Sequence, residues 1–404
     1  MNRELLRIVD ALHREKNVDK ETIFRGIEAA LLVAARKQFR DPEKVSVHID
    51  RETGEIVASY EGQRFEPELL GRIAAQTSKQ VILQKIREAE REMLYKEYSE
   101  RIGELVQGTV SRIDRGVASV NLGRVEAILP RSEQLPGDRF RVGHPVRAII
   151  REVRWQNNRL RIVLSRSHPD FVRRLFEREI PEVAEGVIEI KGIVREPGKR
   201  AKVAVVSADS RIDCVGACVG VRGSRIKNVL DELSGEKIDI VRWAEAPQDY
   251  IASALQPAKV EEVMLFPTLA RAIVLVTEDQ LSQAIGVKGL NVKLASRLTG
   301  WDIEIMTADE LEEEARRAVI RFTALEGVSA DLADRFIEHG ILSYNDLVVL
   351  DPEELAEVGE IAQEAAHGII AQAARMLEEG IDPAADVTIE DVTQEPQLQE
   401  ESGA

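Results

Sequence analysis

The sequence predicts a multidomain α+β protein, and three observations predict it. A passage occurs twice: Cys218–Ile226 reads C-V-G-V-R-G-S-R-I, and Ala284–Val292 reads A-I-G-V-K-G-L-N-V. Short strand-like runs crowd residues 108–166, and the end of the chain is helical and strongly acidic. The chain has 404 residues, enough for several domains of ~100–200 residues each.

Residues 1–104 form the first predicted domain. It opens on helical patterns, first Leu5, Leu6, Val9 and Leu12, then Ile23, Ile27, Ala30, Leu31 and Ala34 behind a capping Asp19. A hairpin of Val45–Ile49 and Ile56–Tyr60 turns around Thr53 and Gly54. A charged helix from Lys79 to about Arg101 follows as a connector.

Residues 105–167 carry strand-like runs at Gly108–Ile113, Gly116–Leu122, Val125–Leu129, Val146–Val153 and Leu160–Leu164. Five strands in so short a span predict an OB-type (S1-like) β-barrel. Between Gly108 and Arg166 stand 12 arginines, no lysine and 5 acids. Barrels of this kind hold single strands in a basic groove with stacked aromatics. The groove candidates are Arg112, Arg115 and Arg131, with Arg147, Arg154, Arg159 and Arg161; the aromatics are only Phe140 and Trp155.

Residues 168–245 and 246–310 are the repeated units. Each reads helix, strand, strand, helix, loop, helix, strand, the pattern of a type II KH domain. In the first, Phe171–Phe176 is the opening helix and Val187–Val194 and Ala201–Val206 are strands. In the second, Tyr250–Leu255 leads into Val260–Phe266 and Ala270–Val276.

Each repeat carries a G-x-x-G loop between two helices. Paired glycines let the backbone approach a phosphate, and the next helix start favours an anion. The RNA-binding candidates of the first loop are Gly220, Val221, Arg222, Gly223 and Ser224, with Arg225 and Lys227 just beyond. Those of the second are Gly286, Val287, Lys288 and Gly289, with Asn291 and Lys293. The bare motif is weak, since 26 glycines give roughly one or two chance matches. Repetition with shared flanks raises it: helical spacing follows both loops, and L-S-G-E-K-I-D-I and L-T-G-W-D-I-E-I close them. Neither loop has the Lys-Ser or Lys-Thr of a nucleotide-binding P-loop.

Residues 311–380 read as an acidic helical domain, and Leu347–Gly359 resembles half of a helix-hairpin-helix unit. From Asp302 onward there are 27 acidic and 5 basic residues, a net of −22 against −16 for the whole chain. That charge opposes a DNA-binding reading of these helices. Residues 381–404, with seven acids and no Lys or Arg, read as a disordered tail.

The remaining composition narrows the function. No cluster of His, Asp or Glu stands at metal or acid–base spacing, and the six histidines are scattered, so no catalytic residue, metal or cofactor is expected. Cys214 and Cys218 cannot make a disulfide framework and read as small buried residues in a reducing cytosol. The start is charged throughout and Ala29–Ala35 is too short to span a bilayer, so a cytoplasmic protein without membrane contact is expected.

At Arg211–Ile226, Val187–Lys191, Gly235–Val241, Leu281–Gly286 and Asn291–Trp301 the chain resembles the NusA family of bacterial transcription elongation, termination and antitermination factors. The order of parts agrees over residues 1 to about 380. The resemblance implies a non-catalytic factor that binds the RNA polymerase core through its N-terminal domain and nascent single-stranded RNA through barrel and KH domains. It also implies other antitermination factors as partners; a monomer is expected. The chain departs from the family at Cys214, where members commonly have Pro, and at Val287-Lys288-Gly289-Leu290, where they have Arg-x-Gly-Gln. The barrel lacks an aromatic in Gly116–Leu122, and the helical region holds one repeat where some members have two. The alternative is an S1/KH-containing RNA-processing or RNA-decay factor. The acidic end is open to three uses: repelling RNA, contacting a basic protein surface, or folding back over the basic modules. Self-shielding predicts that deleting Asp302–Ala404 raises RNA affinity at low salt.

Overall fold

The computed structural model describes residues 19–36, 41–65, 90–156, 159–209 and 211–385, with isolated positions before residue 19 and between residues 84 and 88. The chain divides into two compact units, Met1–Gln134 with Arg139–Arg166, and Leu135–Asp138 with Ser167–Ala404.

In the first unit, helix α1 (Lys20–Arg36) starts where Asp19 accepts from the Thr22 amide at 3.2 Å. Its apolar stripe of Ile23, Phe24, Ile27 and Leu31 is buried against Ile49. The expected hairpin is β1 (Val45–Ile49) against β2 (Ile56–Tyr60), and Arg51 ties it to α1 through Glu21 and Glu28. A third strand, β3 (Gln63–Phe65), joins β2 across the turn at Glu61 and Gly62. It is too short to show a period in the sequence. Of the apolar positions of the first helix expected, Leu6 and Val9 are described, and both pack on this core. Most of the connector expected before residue 90 lies outside the described residues; residues 90–100 are helical and form α2. Tyr98 of α2 enters the barrel core, and Tyr95 stacks on Trp155 with ring centroids 5.6 Å apart.

The five strands predicted for residues 105–167 close into a barrel in the order β4-β5-β6-β8-β7. They are β4 (Leu105–Asp114), β5 (Val117–Asn121), β6 (Glu126–Leu129), β7 (Pro145–Gln156) and β8 (Arg159–Ser165). Inward positions alternate along each strand: Val110, Val120, Leu129, Ile150 and Leu164 fill the interior, and Arg112, Arg115 and Arg131 stand exposed outside it.

The second unit holds the repeat. The first copy is α3 (Pro169–Glu179), a one-turn helix at Pro181–Ala184, β9 (Ile188–Glu196), β10 (Arg200–Ser207), α4 (Cys214–Val219), α5 (Ser224–Glu232) and β11 (Lys237–Arg242). The second is α6 (Pro247–Ala254), β12 (Glu262–Phe266), β13 (Arg271–Leu275), α7 (Glu278–Ile285), α8 (Leu290–Thr299) and β14 (Asp302–Met306). In each sheet the last strand runs parallel to the central one and the first antiparallel to it. This is the expected type II KH arrangement, twice.

The back of the first sheet is covered by the second copy. Val241 of β11 shares a core with Ile251, Ala254 and Leu255 from α6 and its end. Lys202, fully buried, donates to Asp239 at 3.0 Å and to the Gln256 carbonyl at 3.2 Å. Burial pulls the Lys202 ammonium below its usual range, opposed by Asp239. Glu196 accepts from Lys293 and Arg297 of α8 at 3.4 Å each.

The second sheet is covered in turn by the C-terminal helices α9 (Ala308–Thr323), α10 (Ala330–Glu338), α11 (Tyr344–Val349), α12 (Pro352–Gly359) and α13 (Gln363–Glu379). Asp302–Met306 is the closing KH strand, so an excision starting at Asp302 removes part of the second KH sheet as well as the acidic helices. Of the tail expected from residue 381, residues 381–385 are described: Asp382 pairs with Arg321 at 3.1 Å and Ala384 is buried; residues 386–404 lie outside the described residues.

Inside the first KH domain Arg195 and Glu236 are both buried in a bidentate pair at 2.7 and 2.9 Å. Glu236 also accepts from the Gly198 amide at 2.7 Å, and Arg195 donates to the His168 carbonyl at 3.0 Å. Removing one partner leaves a buried charge uncompensated, a loss of about 3–5 kcal/mol. Glu236→Ala is therefore expected to lower the stability of this domain by that amount in denaturant unfolding.

Candidate nucleic-acid interface

The two G-x-x-G loops have the same backbone. Gly220, Arg222 and Gly223 have φ of 75°, 54° and 74°; Gly286, Lys288 and Gly289 have φ of 74°, 54° and 70°. A side chain at the first glycine of either loop would overlap the next helix: Cβ would lie 2.8 Å from Arg225 Cγ in one and 2.7 Å from Asn291 Cβ in the other. The amide of that glycine closes the preceding helix, bonding to Gly216 and Ser282 respectively. The chain then reverses into α5 or α8; the first amide of each, at Ser224 and Leu290, donates to the Val221 or Val287 carbonyl, and the amides that follow open the helix.

Arg222 and Lys288 sit at the tips with positive φ, a conformation that costs a non-glycine residue about 1–2 kcal/mol. Both are exposed, and the valines beside them stand almost fully in solvent, Val221 at 82% and Val287 at 84%. Each loop therefore presents a cation and an apolar side chain beside helix-start amides. That set suits a phosphate with its sugar or base. Ser224 and Lys227 are also exposed, on α5.

Three candidates have other tasks. Arg225 turns inward: Nη1 donates to the Ala217 carbonyl at 2.7 Å and to Glu182 at 2.8 Å. Asn291, at the matching position, is buried, and its Nδ2 donates to Leu255 and Ala284 carbonyls at 3.0 Å each. Both side chains fasten the second helix of the pair to the carbonyl end of the first, and Asn291 is withdrawn from the candidate RNA surface. Lys293 remains exposed but is held by Glu196. Partners distant in sequence, not residue type, separate these from Arg222 and Lys288, so the sequence gives no sign of it.

On the barrel, Arg112, Arg115 and Arg131 are all exposed. Arg112 lines a shallow pocket across four strands with Ser119, Glu126, Ile128, Arg159 and Arg161. Glu126, overlooked in the sequence, accepts from Ser111 Oγ at 2.8 Å. Arg115 sits at the β4–β5 turn with φ of 49°, next to Gly116, which Arg131 overlies. Trp155 is partly exposed, its ring backed by Tyr95. Position 119, on the strand that lacks an aromatic, is a buried serine.

Other chemistry is thinly represented. Among the described residues no group of three or more His, Cys, Asp or Glu is placed to hold a metal ion, and no helix is long and apolar enough to cross a membrane. Both cysteines are buried in the first KH domain as read from the sequence, and burial pushes the Cys218 thiol up to about 12.

The helix-hairpin-helix turns are occupied. At the first, the Gly340 carbonyl accepts from Arg271 Nη1 at 3.3 Å, and the Phe266 ring lies on Gly340. At the second, Glu360 follows Gly359 with φ of 53° and pairs with Arg335 at 3.1 Å. A carboxylate at a turn that would meet phosphate excludes that turn from DNA.

Comparisons with known proteins agree with this order of parts. Residues 4–61 and 58–92 match the NusA N-terminal domain, residues 99–167 the S1 RNA binding domain, and residues 166–243 the NusA-like first KH domain. Residues 247–313 match the NusA-like second KH domain and residues 319–375 a SAM-like helix-hairpin-helix tandem. The chain is 38% identical over 374 residues to the transcription termination/antitermination protein NusA of Halalkalibacterium halodurans, covering 84% of this chain and 98% of that one. It is 38% identical to the protein of the same name from Bacillus subtilis, over 78% of this chain and 93% of that one. For that of Rickettsia conorii the identity is 36%, over 80% and 71%.

Two outcomes follow from the geometry. Asn291→Ala leaves buried carbonyls without a donor, so the second KH domain is expected to lose about 1–3 kcal/mol in denaturant unfolding. At pH 8 the native protein is expected to show no fast-reacting thiol in a disulfide-exchange assay, because Cys218 stays protonated and both thiols are buried; denaturant exposes both.

Proposed function

The chain belongs to the NusA family, and from that premise we propose that it is a non-catalytic transcription termination and antitermination factor that holds nascent single-stranded RNA while bound to RNA polymerase. The observation that carries the RNA half is the matched pair of loops, each with a strained cation at its tip. Strain at an exposed basic residue has no structural return, and a phosphate ligand supplies one.

The RNA-facing set we propose is Gly220, Val221, Arg222, Gly223, Ser224 and Lys227 on the first KH domain, and Gly286, Val287, Lys288 and Gly289 on the second. Lys293 joins if RNA displaces Glu196, and Arg112, Arg115 and Arg131 serve on the barrel. Several weak sites on linked domains bind by effective concentration, so each need hold RNA only loosely. We assign the polymerase contact to the N-terminal domain by family membership. A cytoplasmic monomer that meets other antitermination factors fits the same reading.

The test is co-purification with RNA polymerase, run in parallel with salt titrations of single-stranded RNA binding. Val221→Asp with Arg222→Asp is expected to keep polymerase binding and lose the effect on termination. Each lost cation contact flattens the slope of log affinity against log salt by about 0.7. Unchanged affinity and slope in the double variant would make the first loop a scaffold and end the proposal for it.

A further inference from the structure

The sheet of the second KH domain has two apolar faces. Ala272, Val274, Ile303 and, partly, Val263 and Leu265 point to its own core. Ile273 and Met306, with Met264, Phe266 and Leu275, point the other way, into a core shared with Phe322, Phe336, Leu347 and Ile369 of the C-terminal helices. A sheet covered on both sides reads as a continuous apolar run, as V-M-L-F and A-I-V-L do here. Each fully buried side chain of that kind is worth about 1.5–3 kcal/mol.

Polar contacts fix the dock. Arg271, from the central strand, pairs with Asp346. Burial alone would raise the Asp346 carboxyl, but Arg271 and the Leu342 amide hold it below the usual range. The junction has no slack: β14 ends at Met306 and α9 begins at Ala308. The single residue between them, Thr307, is locked in a capping box with Glu310 at 3.2 and 2.8 Å. A unit attached in this way does not swing across an RNA surface.

The first KH sheet has its back covered by α6 and α8 of the second. We propose that the acidic helical unit is the terminal cap of this array. It takes the place that a further KH copy would fill, and it holds the second sheet in the form that keeps the second loop competent for RNA. Its hairpins serve packing, not nucleic acid. The path to the loop is short: Ala295 and, partly, Val292 of α8, the helix that starts at Leu290, pack in the inner core of the same sheet. The inference rests on the reading that the second loop binds RNA. Removing the cap function therefore weakens RNA binding, the reverse of what self-shielding requires.

The test uses the full chain with the first loop silenced by Val221→Asp and Arg222→Asp, and an unstructured oligouridylate as the probe. Two further variants loosen the dock: Gly340→Val, whose side chain would collide with Phe266 where φ is +78°, and the milder Arg271→Gln. Both are expected to speed amide hydrogen exchange in β12–β14 while leaving β9–β11 unchanged. RNA binding falls about tenfold where roughly nine molecules in ten have lost the competent form. Arg335→Ala, at the second hairpin, leaves exchange and affinity as they were. The proposal is overturned if exchange rises only in the helices beyond residue 308, if it rises equally in β9–β11, or if RNA affinity increases. A Lys288→Glu control separates the two readings: if it does not weaken RNA binding, the second-loop assignment fails, and exchange in β12–β14 still decides the cap.

Discussion

A three-stranded sheet with one helical layer has a second face, and that face must be covered. The tandem depends on this constraint. In the first KH domain the second face carries Lys202, Arg200 and Asp239, and it is closed by α6, α8 and the Gln256 carbonyl. A buried ammonium with one carboxylate and one carbonyl is tolerable only with both partners in place. The two copies are therefore held in one arrangement by the requirement to satisfy Lys202. In the second domain the same face is apolar and needs helices, which the C-terminal unit supplies. One constraint, met first by polar and then by apolar chemistry, sets where both loops stand within this unit.

The loops show how equal backbones are reached by unequal side chains. Arg225 and Asn291 differ in length and charge, yet both donate to carbonyls at the end of the preceding helix. Arg225 needs Glu182 beside it; Asn291 needs the Leu255 carbonyl. The second loop thus reaches the same turn without a guanidinium, and the departure at Leu290 leaves its geometry unchanged. What differs is the ligand-facing chemistry: Ser224 is exposed, whereas Leu290 is partly buried.

Much of this was legible in the sequence, for definite reasons. The barrel strands showed because inward and outward residues alternate, and the KH copies because a loop with fixed flanks recurs. The capping Asp19 and the hairpin at Gly54 were local signals read locally. Three things were hidden. β3 is shorter than any period. The inward turn of Asn291 depends on Leu255, which is distant in sequence. The double cover of β12–β14 was written in its unbroken apolar runs, but its partner lies in helices whose acidity marks only their outer surface. Charge counts describe what faces water and say nothing of what lies beneath. The same stretch from Asp302 onward that carries the net of −22 also contributes Phe322, Phe336 and Leu347 to the core.

Arg222 and Lys288 complete the argument about function. Glycine at either tip would adopt φ near 54° without cost, and the turn would close as well through Gly223 or Gly289. An L residue there gives up about 1–2 kcal/mol in each loop. Neither tip is buried, so packing returns nothing. Neither lies where its charge completes a buried pair, as Arg195 and Arg271 do. The residue type chosen both times is a cation, in a chain whose overall charge is −16. The interaction that offsets the strain must come from outside the folded chain and must be anionic. Helix-start amides beside the tip direct that anion to the loop itself, and the neighbouring valine favours a ligand with an apolar part over a simple ion. A nucleic-acid backbone with an adjoining sugar or base meets both conditions.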